Sequence, residues 1–348
     1  MPTFQRKTGE RKIKGDYETC TYVHVHNYPE PKNSLRLEKR RHKLKKPLAG
    51  LVVIVILLAS FYLFLENSSS INQNTPDVTP SHDELVDYSL SLINSDRQAN
   101  GLQNLTLSSI NSGQNHAEEM LQQGYFSHWD LQGYKPYVRY TLAGGKGAVS
   151  ENIGQVKNWF SAGISEKQAL NESEWSMMND DAAWNWEHKD NILNPLHNKV
   201  SIGIAIDHNN AYFVEDFEND YISWTQLNDT NNQVMMQGTI QRPQQSIIQQ
   251  IAIFYDNPSP LTVDQIEQTQ YQGGYDAGTY IGSVLPPNWQ ATEGTTITAD
   301  NWHQSGNDFR FSFSLLQAIA AHEHGVYTLY MEMGNSTADS LTTYSFIK

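Results

Sequence analysis

The amino-acid sequence predicts an α+β domain followed by an all-β domain, with one membrane-spanning helix ahead of both. Three observations carry this. Leu48–Leu65 is uncharged and dominated by Leu, Val and Ile. Apolar residues recur at helical spacing from Val86 onward, and the period changes to strict alternation after Val200. Beyond about Asn228 the helical signal fades, and alternating runs punctuated by Pro and Gly take over.

The formal charge of −14 over 348 residues hides a split. Residues 1–47 hold 13 Lys+Arg and 5 Asp+Glu, a net of +8. The rest holds 24−13 = 11 basic and 38−5 = 33 acidic residues, a net of −22. Phosphate binding needs clustered positive charge, so the acidic bulk excludes nucleic acid as its partner. The basic run Lys39–Lys46 abuts the apolar stretch Leu48–Leu65. As a helix, that stretch reaches about 27 Å, close to the thickness of the bilayer core. Positive charge before it places residues 1–47 in the cytoplasm and the C-terminal bulk outside the cell. A leader this long reads as an uncleaved signal anchor. Residues 66–80, rich in Asn, Ser, Thr and Pro, read as a flexible linker. Cys20 is the sole cysteine, so no intramolecular disulfide is available.

The first folded domain is expected over 81–228. Ser81-x-x-Glu84 opens a helix carrying Val86, Leu90 and Ile93, and Gly101 stops it. A second helix is expected over 108–123, a third over 165–178, and a short helical segment over 181–192. Gly144-Gly145-Lys146-Gly147 lacks the phosphate-loop pattern and reads as a turn. Val200–Ile206 and Tyr212–Phe217 form a hairpin. The second domain, 229–348, reads as a β-sandwich of around seven strands, among them 247–255, 309–315 and 327–333. Five Asn-x-Ser/Thr triplets (Asn67, Asn104, Asn171, Asn228, Asn335) all follow the apolar stretch, as a glycosylated exterior would require.

The residues that carry chemistry lie between Phe126 and Leu193. Phe126-Ser127-His128-Trp129, Ser150-Glu151-Asn152-Ile153-Gly154 and His188-Lys189-Asp190-Asn191-Ile192-Leu193 contribute two imidazoles and a carboxylate. Such groups bind a divalent metal of the zinc class, or serve as general acid and base. No His-x-x-x-His pair reinforces the metal reading. His197 follows Pro195 and reads as exposed. His322-Glu323-His324 reads as a solvated turn, and Trp175, Trp184 and Trp186 as packing around the cleft.

The order of these segments resembles the CAP superfamily, also called SCP, of cysteine-rich secretory, antigen 5 and pathogenesis-related proteins, and within it the prokaryotic branch without disulfides. The matching residues are Ile93-Asn94-x-x-Arg97-x-x-x-Gly101-Leu102, Ala117-x-x-Met120, Phe126-Ser127-His128, Glu151-Asn152-Ile153-Gly154, the helix around Trp175, His188-x-x-Asn191-Ile192-Leu193-Asn194-Pro195 and Val200–Ala205, over about 81–225. The resemblance implies a CAP-type α-β-α sandwich with a cleft holding two histidines and two acids. By position these are His128, His188 and Glu151. Met178 stands where the second acid is expected; Glu174, Asp180 and Asp181 lie nearby, and we assign the role to Asp180. The expected site is thus a divalent-metal cleft, with zinc on His128, His188, Glu151 and Asp180. The expected role is binding of a lipid, an envelope polymer or a surface protein. The alternative is a metal-assisted hydrolase or peptidase with Glu151 handling protons. A third reading gives the function to the β domain and makes the first domain its spacer.

Overall fold

The computed structural model describes residues 17–22, 80–158, 165–242, 247–320, 322, 324–333 and 339–348. The expected membrane helix at 48–65, the linker up to 79 and the basic tail other than 17–22 lie outside the described residues. Among those described, no helix is long and apolar enough to cross a membrane.

Helix α1 (His82–Ala99) forms where expected. Its buried positions, Leu85, Ser89, Ile93 and Arg97, fall every four residues and make one stripe. Arg97 ends the stripe, with its guanidinium donating to the carbonyls of Gln103, Ile192, Asn194 and His197. One side chain thereby ties the helix to the loop before strand β4 (Lys199–Ile206). Helix α2 (Ser112–Gln123) follows the short strand β2 (Thr106–Leu107) and ends on left-handed Gly124. Helix α3 (Pro136–Leu142) carries no periodic signal, because its 7 residues make only about two turns; Pro136 opens its first turn.

Strand β3 (Ala148–Asn158) pairs antiparallel with β5 (Asn210–Asn219), and β5 with β4. β2 extends the sheet in parallel beside β4, and a strand β1 (Tyr17–Tyr22) pairs antiparallel on the far edge of β3. Helix α4 (Glu166–Asn179), a 3-10 turn (Ala182–Trp184) and α5 (Glu187–Ile192) complete the α+β domain. Both faces of the sheet are apolar because both are covered. Ile202, Ile204, Phe213 and Phe217 pack with α1 and α4 on one face. Ile153, Ala205, Tyr212 and Val214 pack with Ala117 and Met120 of α2 on the other. This is the α-β-α layering expected of 81–228.

The second region is all-β. Strands β6 (Ile222–Thr230), β7 (Gln233–Ile240), β12 (Asp308–Ser314) and β11 (Asn301–Ser305) form one sheet in the order 11-12-7-6. Strands β8 (Gln250–Asp256), β9 (Thr279–Leu285), β10 (Thr295–Thr298), β13 (Val326–Glu332) and β14 (Ser340–Ile347) form another in the order 10-9-8-13-14. Side chains of both sheets, including Val234, Met236, Phe311, Phe313, Ile253, Leu329 and Met331, meet in one core. The strands anticipated at 247–255, 309–315 and 327–333 lie at 250–256, 308–314 and 326–332. The short β10 and β11 carry little apolar alternation and raise the number of strands above seven. β6, split by the expected boundary at 228, belongs wholly to this second region.

Candidate functional site

His128 sits in the loop after α2. Asp130 folds that loop by accepting the amides of Gln132 and Tyr134. His116 bonds the Ser127 carbonyl from below at 2.8 Å. Glu151 projects from β3 towards this loop, and its Oε1 lies 2.8 Å from His128 Nδ1. Arg139 of α3 closes the arrangement. One of its terminal nitrogens donates to Glu151 Oε2 at 2.5 Å; the other donates to the carbonyls of His128 at 2.6 Å and Tyr134 at 3.0 Å. His128 and Glu151 are both 0 % exposed. Asp216 lies opposite Glu151 on β5 and accepts from the Ser112 hydroxyl.

Burial raises the Glu151 pKa, and Arg139 opposes the rise. Burial raises Asp216 further, helped by Glu151 beside it, so the two carboxyls do not both carry charge comfortably. Burial disfavours the Arg139 cation, but Glu151, Asp130 and Asp216 overcome this and hold it charged. Sequence reading missed Arg139, Asp216 and Ser112. They come from a helix with no periodic signal and from strand register, neither of which a local motif encodes.

The second histidine forms its own pair. His188 Nδ1 bonds Asp181 Oδ1, and its amide donates to Asp181 Oδ2 at 3.0 Å. Asp181 is 1 % exposed, whereas Asp180 is exposed at the C-terminal end of α4. The carboxylate serving the histidine is therefore Asp181 and not Asp180, because the chain has already left the helix and turns Asp181 inward. Asn185 and Trp186 both adopt left-handed backbone, φ 58° and 66°, in the turn that aims His188. Glu151 and Asn152, consecutive on β3, point to opposite faces. The first meets His128, while the amide of the second donates to the His188 carbonyl at 3.2 Å. Behind Asn152 lies a buried acid pair. Burial lifts Glu215 to about 7, and burial with the Glu215 charge lifts Glu174 well above the ordinary range.

Two other expectations change, and the turn expected at His322–His324 keeps His324 exposed. His197 is buried, 5.4 Å from Phe217 in a stack and bonded to Asn219 and Asn191, and burial lowers its pKa to about 3. Trp175 and Trp186 are exposed, 61 % and 39 %, rather than packed around a cleft. His322 stacks on Tyr255, and Glu323 lies outside the described residues.

The expected metal set does not form as drawn. Both Glu151 oxygens are engaged, by His128 and Arg139, and Asp180 faces solvent. Each histidine instead turns Nδ1 to a carboxylate, the arrangement in which an acid orients an imidazole. His188 Nε2 is buried with no hydrogen-bond partner among the described residues, a lone donor suited to a metal. Among those residues no group of three His, Cys, Asp or Glu side chains is placed to hold an ion.

The second region reaches this site. The Glu151 amide donates to the Tyr275 hydroxyl at 3.1 Å, and the Tyr275 ring lies 5.0 Å from that of His128. Tyr275 belongs to the connection between β8 and β9.

Residues 90–217 match the model of the CAP family, described as the cysteine-rich secretory protein family. No curated protein matches the chain. Among solved structures, an extracellular protein containing an SCP domain from Bacillus anthracis str. Ames is 17% identical, with a TM-score of 0.30, over 40% of this chain and 44% of that one. The CAP domain of enterococcal PrgA is 15% identical, with a TM-score of 0.28, over 40% of this chain and 62% of that one. The chain thus spans less than two thirds of either. The matched segment contains all three signature stretches and the layered sheet that positions them: residues 90–217 of this chain form a domain that matches the CAP/SCP family.

Proposed function

We propose that this is a membrane-anchored, outward-facing CAP protein whose cleft binds a ligand without transforming it. The observation that carries this reading is the state of Glu151. It is fully buried, bonded through both oxygens and roofed by Tyr275. A general base must reach the proton it takes, and this carboxylate reaches only protein. The ligand classes in view are a lipid, an envelope polymer or a surface protein. The zinc hydrolase is the rival. Incubating the full chain in detergent with a peptide library and zinc separates the two. We expect no turnover, and the same featureless zinc calorimetry for the wild type, His128→Ala and His188→Ala. Turnover that disappears in Glu151→Gln would establish the hydrolase instead.

The anchor rests on the apolar stretch 48–65 and its basic flank. The β1 pairing draws the other way, since Tyr17–Tyr22 beside β3 requires the tail on the domain's own side. Cys20, within β1, decides between them as the only thiol. An impermeant maleimide applied to intact cells should leave it unlabelled; labelling without lysis would refute the cytoplasmic tail.

A further inference from the structure

Strands β8 and β9 pair antiparallel, and a tight turn of two to five residues would suffice to join them. The chain instead uses residues 257–278, and directs them away from the β core onto the CAP domain. Leu261 donates its amide to the Leu131 carbonyl at 2.8 Å. The Ser127 hydroxyl donates to the Tyr271 carbonyl at 2.7 Å, and the Gln272 side chain donates to the Phe126 carbonyl at 3.1 Å. Ile266 is fully buried in the apolar cluster of Tyr125 and Phe126. The Tyr271 ring stands edge-on to Trp129 at 5.6 Å. Gly133, at φ +79°, lies so close that a Cβ there would sit 2.6 Å from the Ser259 carbonyl oxygen. Every one of these contacts falls on residues 125–133, the stretch that carries Phe126-Ser127-His128-Trp129. Tyr275 completes the set over His128 and Glu151. The two ends of the connection are held by one amine, as Lys135 Nζ lies 2.8 Å from Asp256 and 2.7 Å from Asp276.

The segment has the form of a bound ligand. It contains one helical turn (Val263–Ile266), one 3-10 turn (Thr269–Tyr271) and otherwise irregular backbone, and it is recognised through carbonyls, an amide and two tyrosine rings. Gly273, at φ +108° with open space around its Cβ position, lets the chain change direction just before Tyr275.

We propose that residues 257–278 are an internal ligand of the CAP cleft, and that the cleft accepts from outside a tyrosine-bearing peptide that displaces them. This rests on the binding reading and names both its ligand class and its regulation: the chain is self-occluded until a competitor arrives.

The test uses the full chain in detergent and a fluorescein-labelled peptide with the sequence of residues 268–278. Tyr271→Ala/Tyr275→Ala should release the plug and bind the peptide saturably, at least tenfold more tightly than the wild type does. A scrambled peptide should not bind. Equal affinity for wild type and variant, or no binding to a cooperatively folded variant, overturns the proposal. Tyr275→Phe, which keeps the ring and loses the hydroxyl, provides a second measurement if the double variant does not fold. Amide exchange at Glu151 should accelerate in it while the rest of β3 is unchanged, and unchanged protection at Glu151 overturns the plug. Mass spectrometry of the recovered peptide keeps the two readings apart. Intact peptide, bound or unbound, leaves the non-catalytic reading standing, whereas peptide cleaved by the opened variant defeats it.

Discussion

The two folded regions differ in how many titratable side chains they bury. Among the described residues of 82–220, thirteen basic, acidic or histidine side chains are buried: Arg97, His116, His128, Asp130, Lys135, Glu151, Glu174, Asp181, His188, His197, Glu215, Asp216 and Glu218. Among those of 221–348 there is one, Glu332. Desolvating a charge costs several kcal/mol unless it is paired, and apolar replacements of similar volume are often no less stable. The β region is built instead around one apolar core that includes Phe311, Phe313, Leu329 and Met331. In the CAP region the buried titratable groups include the His128–Glu151–Arg139 cluster, which Tyr275 of the β8–β9 connection covers.

Breaking that network should have the largest effect. Arg139→Ala strands Glu151 and releases the His128 loop, at a cost of about 3–5 kcal/mol. The thermal midpoint of the full chain should fall by on the order of 10 °C. A fall of only a degree or two would mean that the CAP charges are as dispensable as surface pairs. A smaller effect separates two adjacent acids. Asp181→Asn should cost about 1–3 kcal/mol through the His188 bonds, while Asp180→Asn should change stability by less than about 0.5 kcal/mol. Equal effects would return Asp180 to the site.

The pH dependence of stability sharpens the contrast further. Burial raises the folded Glu215 pKa to about 7 from the ordinary glutamate value of about 4.5. The folded state therefore holds this proton more tightly than the unfolded chain. Its stabilisation is complete below the unfolded pKa and is lost as pH rises from about 4.5 to about 7. Glu215→Gln should match the wild type near pH 4.5 and melt a few degrees higher at pH 8. His197 acts in the opposite sense, since its folded pKa is about 3 and the unfolded chain takes up protons first as pH falls below 6.5. A Glu215→Gln difference that does not change with pH would remove Glu215 from this account. Least of all should Trp175→Ala matter: at 61 % exposure it should stay within about 0.5 kcal/mol of wild type in chemical denaturation.

Much of the fold was readable because its cues are local. The α1 stripe, the Gly124 stop and the alternation of 200–217 each fall within a few turns of chain. The site was half readable for the same reason. His128, Glu151 and His188 stand in recognisable short contexts, but their partners do not. Arg139 lies on a helix too short for periodicity. Asp216 meets Glu151 only through strand register, and Tyr275 arrives from 124 residues away. A one-residue difference at a helix end decides between solvent for Asp180 and interior for Asp181, and spacing does not fix that. At His197, Pro195 signals a surface turn, while the stack on Phe217 belongs to tertiary structure.

The pairing of β8 with β9 sets the terms of any competition for the cleft. Because the sheet pins both ends of 257–278, a displaced segment cannot diffuse away. It remains at an effective concentration on the order of millimolar for a short tether. A free peptide of equal intrinsic affinity would therefore have to approach that concentration to hold the cleft half the time. Dilute soluble peptides would go unnoticed, while ligands crowded on an adjoining surface would register. The loop thus acts as a concentration threshold, and shortening or lengthening it would move that threshold without altering a single residue of the cleft.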